Sequence, residues 1–342
     1  MDSSATRKPD LKTEAIAGIT TFFTMAYIVV VNPQILSADG KTGMAFTGVL
    51  TATMLVCFTM TLLMGMYAKL PFAVAPGMGI NAFFTYTIIL GKGVPWPTVL
   101  GIIFWAGVFF LLISVTPVRE LIAKAIPKEI RIAAAAGIGI FLTLKLSLLP
   151  SIIAVLFTDL FDSISTFIGV AHAADLLDEH GHPRNLREGL IVDSLATLGA
   201  GLAGSSSGTA YIESIAGISM GGRTGLTSVF TALCFLPCFF IAPLAGTVPP
   251  YATAAVLILV GAAMFQSVGQ IKFSKIEEGV PAFLTLILIP LTFSITQGIL
   301  WGFISHVGLY LMVGRRRDIH PVMYVLAVIS IGLLLLERMK FS

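Results

Sequence analysis

LPFAVAPGMGINAFF (residues 70–84) and GLAGSSSGTAYIESIAG (201–217) decide the fold of this chain. Each is apolar enough to lie in a membrane, and each breaks where a crossing should have its middle. Small residues and chain-breakers cluster there, and a short helix-competent run follows. Irregular backbone at membrane depth survives only where protein buries it or where it lines a cavity. Helix starts left free there are natural sites for polar ligands, because their N–H groups lack intrahelical partners. One break in each half of the chain reads as two repeats with opposed half-helices, the plan of many secondary transporters. For either segment alone, close helix packing through glycine is the plainer alternative.

The surrounding sequence places these breaks in a bilayer. Of 342 residues, 56% are hydrophobic and 11% charged, and mean hydropathy is +0.94. A soluble domain carries about 25% charged residues, so an apolar excess of this size has no water-soluble core to hide in. The reading is an all-α polytopic membrane protein. A net charge of +3, dispersed along the chain, gives no footprint for nucleic acid. Cys57, Cys234 and Cys238 lie inside apolar segments, with no disulfide framework and no metal spacing. No signal-peptide cleavage pattern follows the first apolar run, so that helix is expected to stay as an anchor.

Spans of about 20 apolar residues cross a bilayer as helix. Crossings are expected at 15–36, 45–67, 97–115, 131–146, 148–171, 189–203, 224–246, 251–268, 280–294 and 297–313, with 320–337 either crossing or lying at the interface. With the two broken segments counted as crossings and the N-terminus inside, sixteen basic residues fall on the inner side. Only Lys41, Lys92 and Lys145 fall outside, and Arg338 and Lys340 follow the last run, whose placement is open. That asymmetry predicts a cytoplasmic N-terminus.

Four acids lie within membrane segments: Asp159, Asp162, Asp193 and Glu213. Facing lipid, each would cost roughly 2.5–3.5 kcal/mol, so they are expected to face a polar interior. Asp159 and Asp162, spaced i and i+3, share a helix face. Two carboxyls this close, partly buried, suit a group that binds and releases a proton. Glu213, just inside the second half-helix, is placed to meet a ligand at the helix start. Structural hydrogen bonding is the alternative throughout, and it is preferred for Asp193, which stands alone near a helix start. His306 reads as a packed histidine, and His172, His180 and His182 as residues of a solvated loop. No P-loop, Ser/His/Asp set or dinucleotide unit is present, so the chain reads as neither enzyme nor ATP-driven pump, and it calls for no cofactor or metal.

LPFAVAPGMGINAFFTYT, FTDLFDSISTFIGVA and SGTAYIESIAGISMGGRTGLT resemble motifs of the nucleobase–cation symporter family of xanthine/uracil permeases, in its adenine/guanine/hypoxanthine branch. GITTFFTMAYIVVVNPQIL and EEGVPAFLTLILIPLTFSITQGI fit the same branch, so the likeness runs over nearly the whole chain. The resemblance implies an inverted-repeat transporter with core and gate domains, and half-helices preceded by short strands at mid-membrane. It implies a purine site lined by Asn81, Asp159, Glu213 and Thr209, with Phe83 as an aromatic contact. Proton coupling would fall to Asp159, Asp162 and Glu213.

Mapped onto this chain, the resemblance gives a cytoplasmic N-terminus (1–14), core (15–116), gate (117–147), core again (148–247) and gate again (248–342). In the family, two more crossings follow the helix resembling IRIAAAAGIGIFLTL (130–144); here only KLSLLPSIIAVL (145–156) intervenes. The first half of the gate is thus expected to be truncated, leaving about twelve crossings rather than fourteen. Gln297 stands where the branch has an acid. The expected partners are a purine nucleobase, a proton, the lipid of a cell (inner) membrane and a second copy of the chain covering the shortened gate. Two further readings stay open: a membrane protein that binds purine or a partner without transport, and a sulfate-permease-type anion carrier. The second would want a basic residue near the half-helices, where this chain has acids.

Overall fold

The computed structural model of the chain describes residues 10–116, 152, 155–156, 159–160, 162–164, 166–167, 170–171, 184–240, 265, 268–269, 271, 273–292 and 295–338. The first gate segment (117–147, with the expected crossing 131–146 and Lys145), most of the crossing expected at 251–268, and His172, His180 and His182 lie outside the described residues.

The first expected crossing is two helices, α1 (Leu11–Met25) and α2 (Ile28–Ser37), parted at Ala26 and Tyr27. Pro33 lies inside α2; it lacks an N–H and its ring crowds the carbonyl four residues back. The turn before it tightens accordingly, with Val29 and Val30 donating to the carbonyls of Ala26 and Tyr27 at 3.2 and 3.1 Å. Next comes α3 (Phe46–Leu63), which runs on through a wide turn to Ala68. Strand β1 (Val74–Pro76) leads into α4 (Met78–Ala82), widened into π-helix over Phe83–Gly91. Then come α5 (Trp96–Val115), the helical described residues of 152–171, and α6 (Leu186–Ala203). Strand β2 (Gly208–Ala210) leads into α7 (Ser214–Ser219) and α8 (Gly225–Phe235). Finally α9 (Ile276–Thr292), α10 (Ile295–Met312) and α11 (Pro321–Arg338) pack in sequence. Among the described residues, three helical stretches are long and apolar enough to cross a membrane: Leu11–Gly40, Phe46–Ala68 and Trp96–Val115.

β1 and β2 pair antiparallel, with Val74 opposite Ala210, Ala75 opposite Thr209 and Pro76 opposite Gly208. The flanking bonds, Tyr211 N–H to Ala73 O (2.9 Å) and Gly77 N–H to Ser207 O (2.8 Å), set the phase of the ladder. Antiparallel pairs alternate, so residues 74, 76, 208 and 210 turn their backbone groups outward. A two-stranded ribbon buried in protein at membrane depth must have those groups satisfied. The Thr61 hydroxyl on α3 does this for β1, accepting from Val74 N–H (2.9 Å) and donating to Val74 O (3.0 Å). α6 does it for β2: Asp193 accepts from Ala210 N–H (3.1 Å) and Thr197 donates to Gly208 O (3.1 Å). Pro76, with no N–H to satisfy, takes an outward position, and its carbonyl accepts from the Tyr211 hydroxyl at 2.6 Å.

The helices reach this ribbon because small residues let backbones approach. A Cβ at Gly107 of α5 would lie 2.5 Å from the Leu198 backbone nitrogen. One at Gly201 of α6 would lie 2.7 Å from the Phe104 nitrogen. One continuous apolar core runs from Phe72, Phe84 and Phe110 through Phe167 to Ile289, Phe303 and Met323.

Candidate substrate site

Beside the ribbon lies a pocket with about 420 Å³ of empty space, counted to its mouth. The cavity proper is about 60 Å³, the rest being space open at the mouth. Its walls are the two chain turns that follow the strands, Gly77–Met78–Gly79 after β1 and Thr209–Glu213 at the end of β2. Tyr27 from the α1–α2 break and the helical residues Asp162 and Thr166 complete them.

Glu213 immediately precedes α7 rather than lying inside it, and its side chain makes no cap on that helix. It turns instead to Tyr27, whose hydroxyl donates to Glu213 Oε1 at 2.7 Å. The other pocket hydroxyls are largely committed: Tyr211 to Pro76 O, and Thr209 to Ser163 Oγ at 3.2 Å. Asp162 makes no hydrogen bond to another described residue. The pocket therefore offers two carboxyl side chains as acceptors, with three of its four hydroxyls already engaged.

Of the residues singled out in the sequence, Asp162, Thr209 and Glu213 line this pocket; Asn81, Asp159 and Phe83 do not. Asn81 is fully buried, its side-chain oxygen accepting from the Ser206 hydroxyl and its amide lying 3.7 Å from Met78 Sδ. It ties α4 to the chain entering β2. Asp159 is fully buried and lies against the Thr197 hydroxyl, whose single proton is shared between it and Gly208 O. Residues i and i+3 on a helix differ in direction by about 60°. That angle separates the two aspartates expected to share a face: Asp162 meets the pocket while Asp159 meets α6. Phe83 is packed in the apolar core with Phe84. Asp193 sits well within α6, not near its start, and serves the outer edge of β2.

The sequence reading missed Tyr27, Thr166, Ser163, Thr197 and Ser206. Only Tyr27 carried a signal, as an aromatic with a polar tip in an otherwise apolar run ahead of a proline. Hydroxyls among small residues occur in many helices and mark nothing by themselves. His306 is buried and stacks on Tyr310, ring centroids 4.4 Å apart. Among the described residues, no group of three or more His, Cys, Asp or Glu side chains is arranged to hold a metal ion.

The Xan_ur_permease model, described as the Permease family, matches residues 12–146 and 141–301. The chain is 34% identical to the adenine permease AdeP of Escherichia coli K12 over 411 aligned positions, covering 94% of this chain and 92% of that one. It is 31% identical to the guanine/hypoxanthine permease PbuO of Bacillus subtilis, covering 94% of this chain and 97% of that one. Since 94% of 342 residues is about 321, about 90 of the 411 positions aligned with AdeP have no residue in this chain. In fold, it is similar to the transmembrane domain of the cyanobacterial bicarbonate transporter BicA, with TM-score 0.56 and 13% identity over 87% of this chain and 98% of that one. With apolar helices, paired strand–half-helix breaks and a family model matched over most of its length, this chain belongs to the Permease family of xanthine/uracil-type membrane transporters and is not an enzyme.

Proposed function

We propose that this permease imports purine nucleobases into the cytoplasm by proton symport. It would act from a cell (inner) membrane, with the N-terminus cytoplasmic. The observation that carries the reading is the meeting of two carboxyl side chains, Asp162 and Glu213, in one pocket walled by the two turns that follow the strands. Three of the pocket's four hydroxyls are already engaged. A purine presents N–H donors on a flat ring, which carboxyl side chains accept, and ring acceptors that the backbone N–H groups of the two turns can serve. The names of the relatives, adenine permease and guanine/hypoxanthine permease, support the same ligand class. Thr209 borders the base, while Asn81, Asp159 and Phe83 act from behind the wall by fixing α4 and β2. The coupling proton belongs with the carboxylates: with no basic partner beside them among the described residues, binding a proton removes the cost of a buried charge.

Two further readings differ in what they predict. The missing aligned positions, and the meeting of the two family matches at 141–146, support a shortened first gate segment. A chain with a gate so shortened fits a purine binder that does not transport. A sulfate-permease-type anion carrier is the other reading, but two carboxylates in the pocket repel an anion.

The test uses the full chain in membranes. Radiolabelled hypoxanthine, adenine and guanine should bind saturably, and Glu213→Gln should weaken binding at least about tenfold. This is the scale set by a hydrogen bond to a charged group, about 1.5–3 kcal/mol. Undiminished binding in Glu213→Gln would remove the pocket from consideration. Uptake into cells that stops on adding a protonophore would support symport, and binding without uptake would support the non-transporting reading.

A further inference from the structure

We infer that Tyr27 sets the selectivity of the pocket among purines by holding one oxygen of the Glu213 carboxylate. This rests on the reading that purines occupy the pocket. Tyr27 lies at the break between α1 and α2, lines the pocket, and donates its hydroxyl to Glu213 Oε1 at 2.7 Å. Its placement is rigid. α1 and α7 meet at backbone distance, because a Cβ at Gly217 would run into Thr21 and the Ala17 carbonyl. The helix break that carries the tyrosine and the turn that carries the glutamate are therefore held in one register.

The consequence follows from how a carboxylate receives a base. A free carboxylate accepts two parallel N–H bonds from a ligand with adjacent donors. Guanine presents such a pair, its ring N1–H and exocyclic amino group; hypoxanthine presents the ring N–H alone. With one lone pair of Oε1 engaged by Tyr27, Glu213 receives a single N–H at full strength on Oε2, while the second N–H of a parallel pair shares Oε1 with the tyrosine. Tyr27 thus disfavours guanine relative to hypoxanthine, and it positions the remaining oxygen for bases with a single donor on that edge.

The experiment is competition against radiolabelled hypoxanthine on membranes holding the full chain, comparing wild type, Tyr27→Phe and Glu213→Gln. Tyr27→Phe keeps the ring that packs in the break and removes only the hydroxyl. The guanine-to-hypoxanthine affinity ratio should move at least about fivefold toward guanine in Tyr27→Phe, whatever happens to the absolute affinities. A ratio unchanged within twofold overturns the inference, including the case in which all bases weaken together, which would leave Tyr27 a merely structural role. The site reading is tested separately: no purine binding by wild type, or full binding by Glu213→Gln, overturns that reading and this inference with it. Loss of binding in Glu213→Gln with an unmoved ratio in Tyr27→Phe overturns the inference alone.

Discussion

At the scale of the residue, Asp193 and Glu213 carry the same functional group beside the same strand and have different neighbours. Asp193 Oδ2 accepts from the backbone of Ala210, an outward N–H of β2 that has no strand to pair with. Glu213 accepts from a tyrosine side chain at the rim of a pocket. The first role needs an acceptor oxygen and no charge. Asp193→Asn is therefore expected to fold with near-normal thermal stability and purine binding. Asp193→Leu leaves the amide of Ala210 buried without a partner and should lose about 1–3 kcal/mol. Thermal unfolding in detergent, followed for both variants, checks the contrast; equal loss in the two would show that the charge itself is required.

At the scale of the element, the ribbon exists because the helices around it come close enough for short side chains to reach its edges. Thr61 and Thr197 have reach for one hydrogen bond's length and no more, so helix spacing decides whether β1 and β2 are satisfied. That spacing depends on glycines at crossings such as Gly107 against Leu198, where the obstacle is backbone rather than a movable side-chain end. Gly107→Ala is expected to push α5 from α6 and lower the thermal midpoint by several degrees, on the scale of about 1–3 kcal/mol for overpacking. Gly101, on the same helix with open space around its Cβ position, is the control and should accept alanine without loss.

At the scale of the whole molecule, α9, α10 and α11 are joined at one end by charge. Arg315, just after α10, pairs with Glu277 at the start of α9 at 2.7 Å, and with Asp318 at 2.7 Å; its guanidinium also lies 5.4 Å over the Tyr310 ring. A hydrogen bond from its own backbone N–H, and then the Arg315 guanidinium, hold the Glu277 carboxyl below the ordinary glutamate range. A carboxyl depressed on folding stabilises the fold above its unfolded pKa, about 4.3, and that contribution is lost as pH falls through the lower folded value. The wild type should therefore exceed Glu277→Gln in thermal midpoint at pH 7, and the gap should narrow progressively below about pH 4. A gap independent of pH would mean that the pair acts by packing alone.

The membrane class, the two breaks and their place in a transporter were determined by the sequence itself. Apolar runs have no alternative to the bilayer, and glycine, proline and serine in mid-crossing have no alternative to an irregular, protein-buried backbone. The acids that needed a polar interior were equally visible, because an unpartnered charge in hydrocarbon is too costly to be incidental. Only the tertiary structure decided which of them meet one pocket. Asp159 and Asp162 are three residues apart in sequence, yet they part company around a helix, one toward Thr197 and one toward the site. Asn81 and Glu213 follow matching strands, yet one ties α4 to Ser206 and the other meets Tyr27 from the far end of the chain. Side-chain direction and the partner brought up by a distant helix are long-range properties, fixed by the crossing of α1, α6 and the ribbon, and no local pattern encodes them.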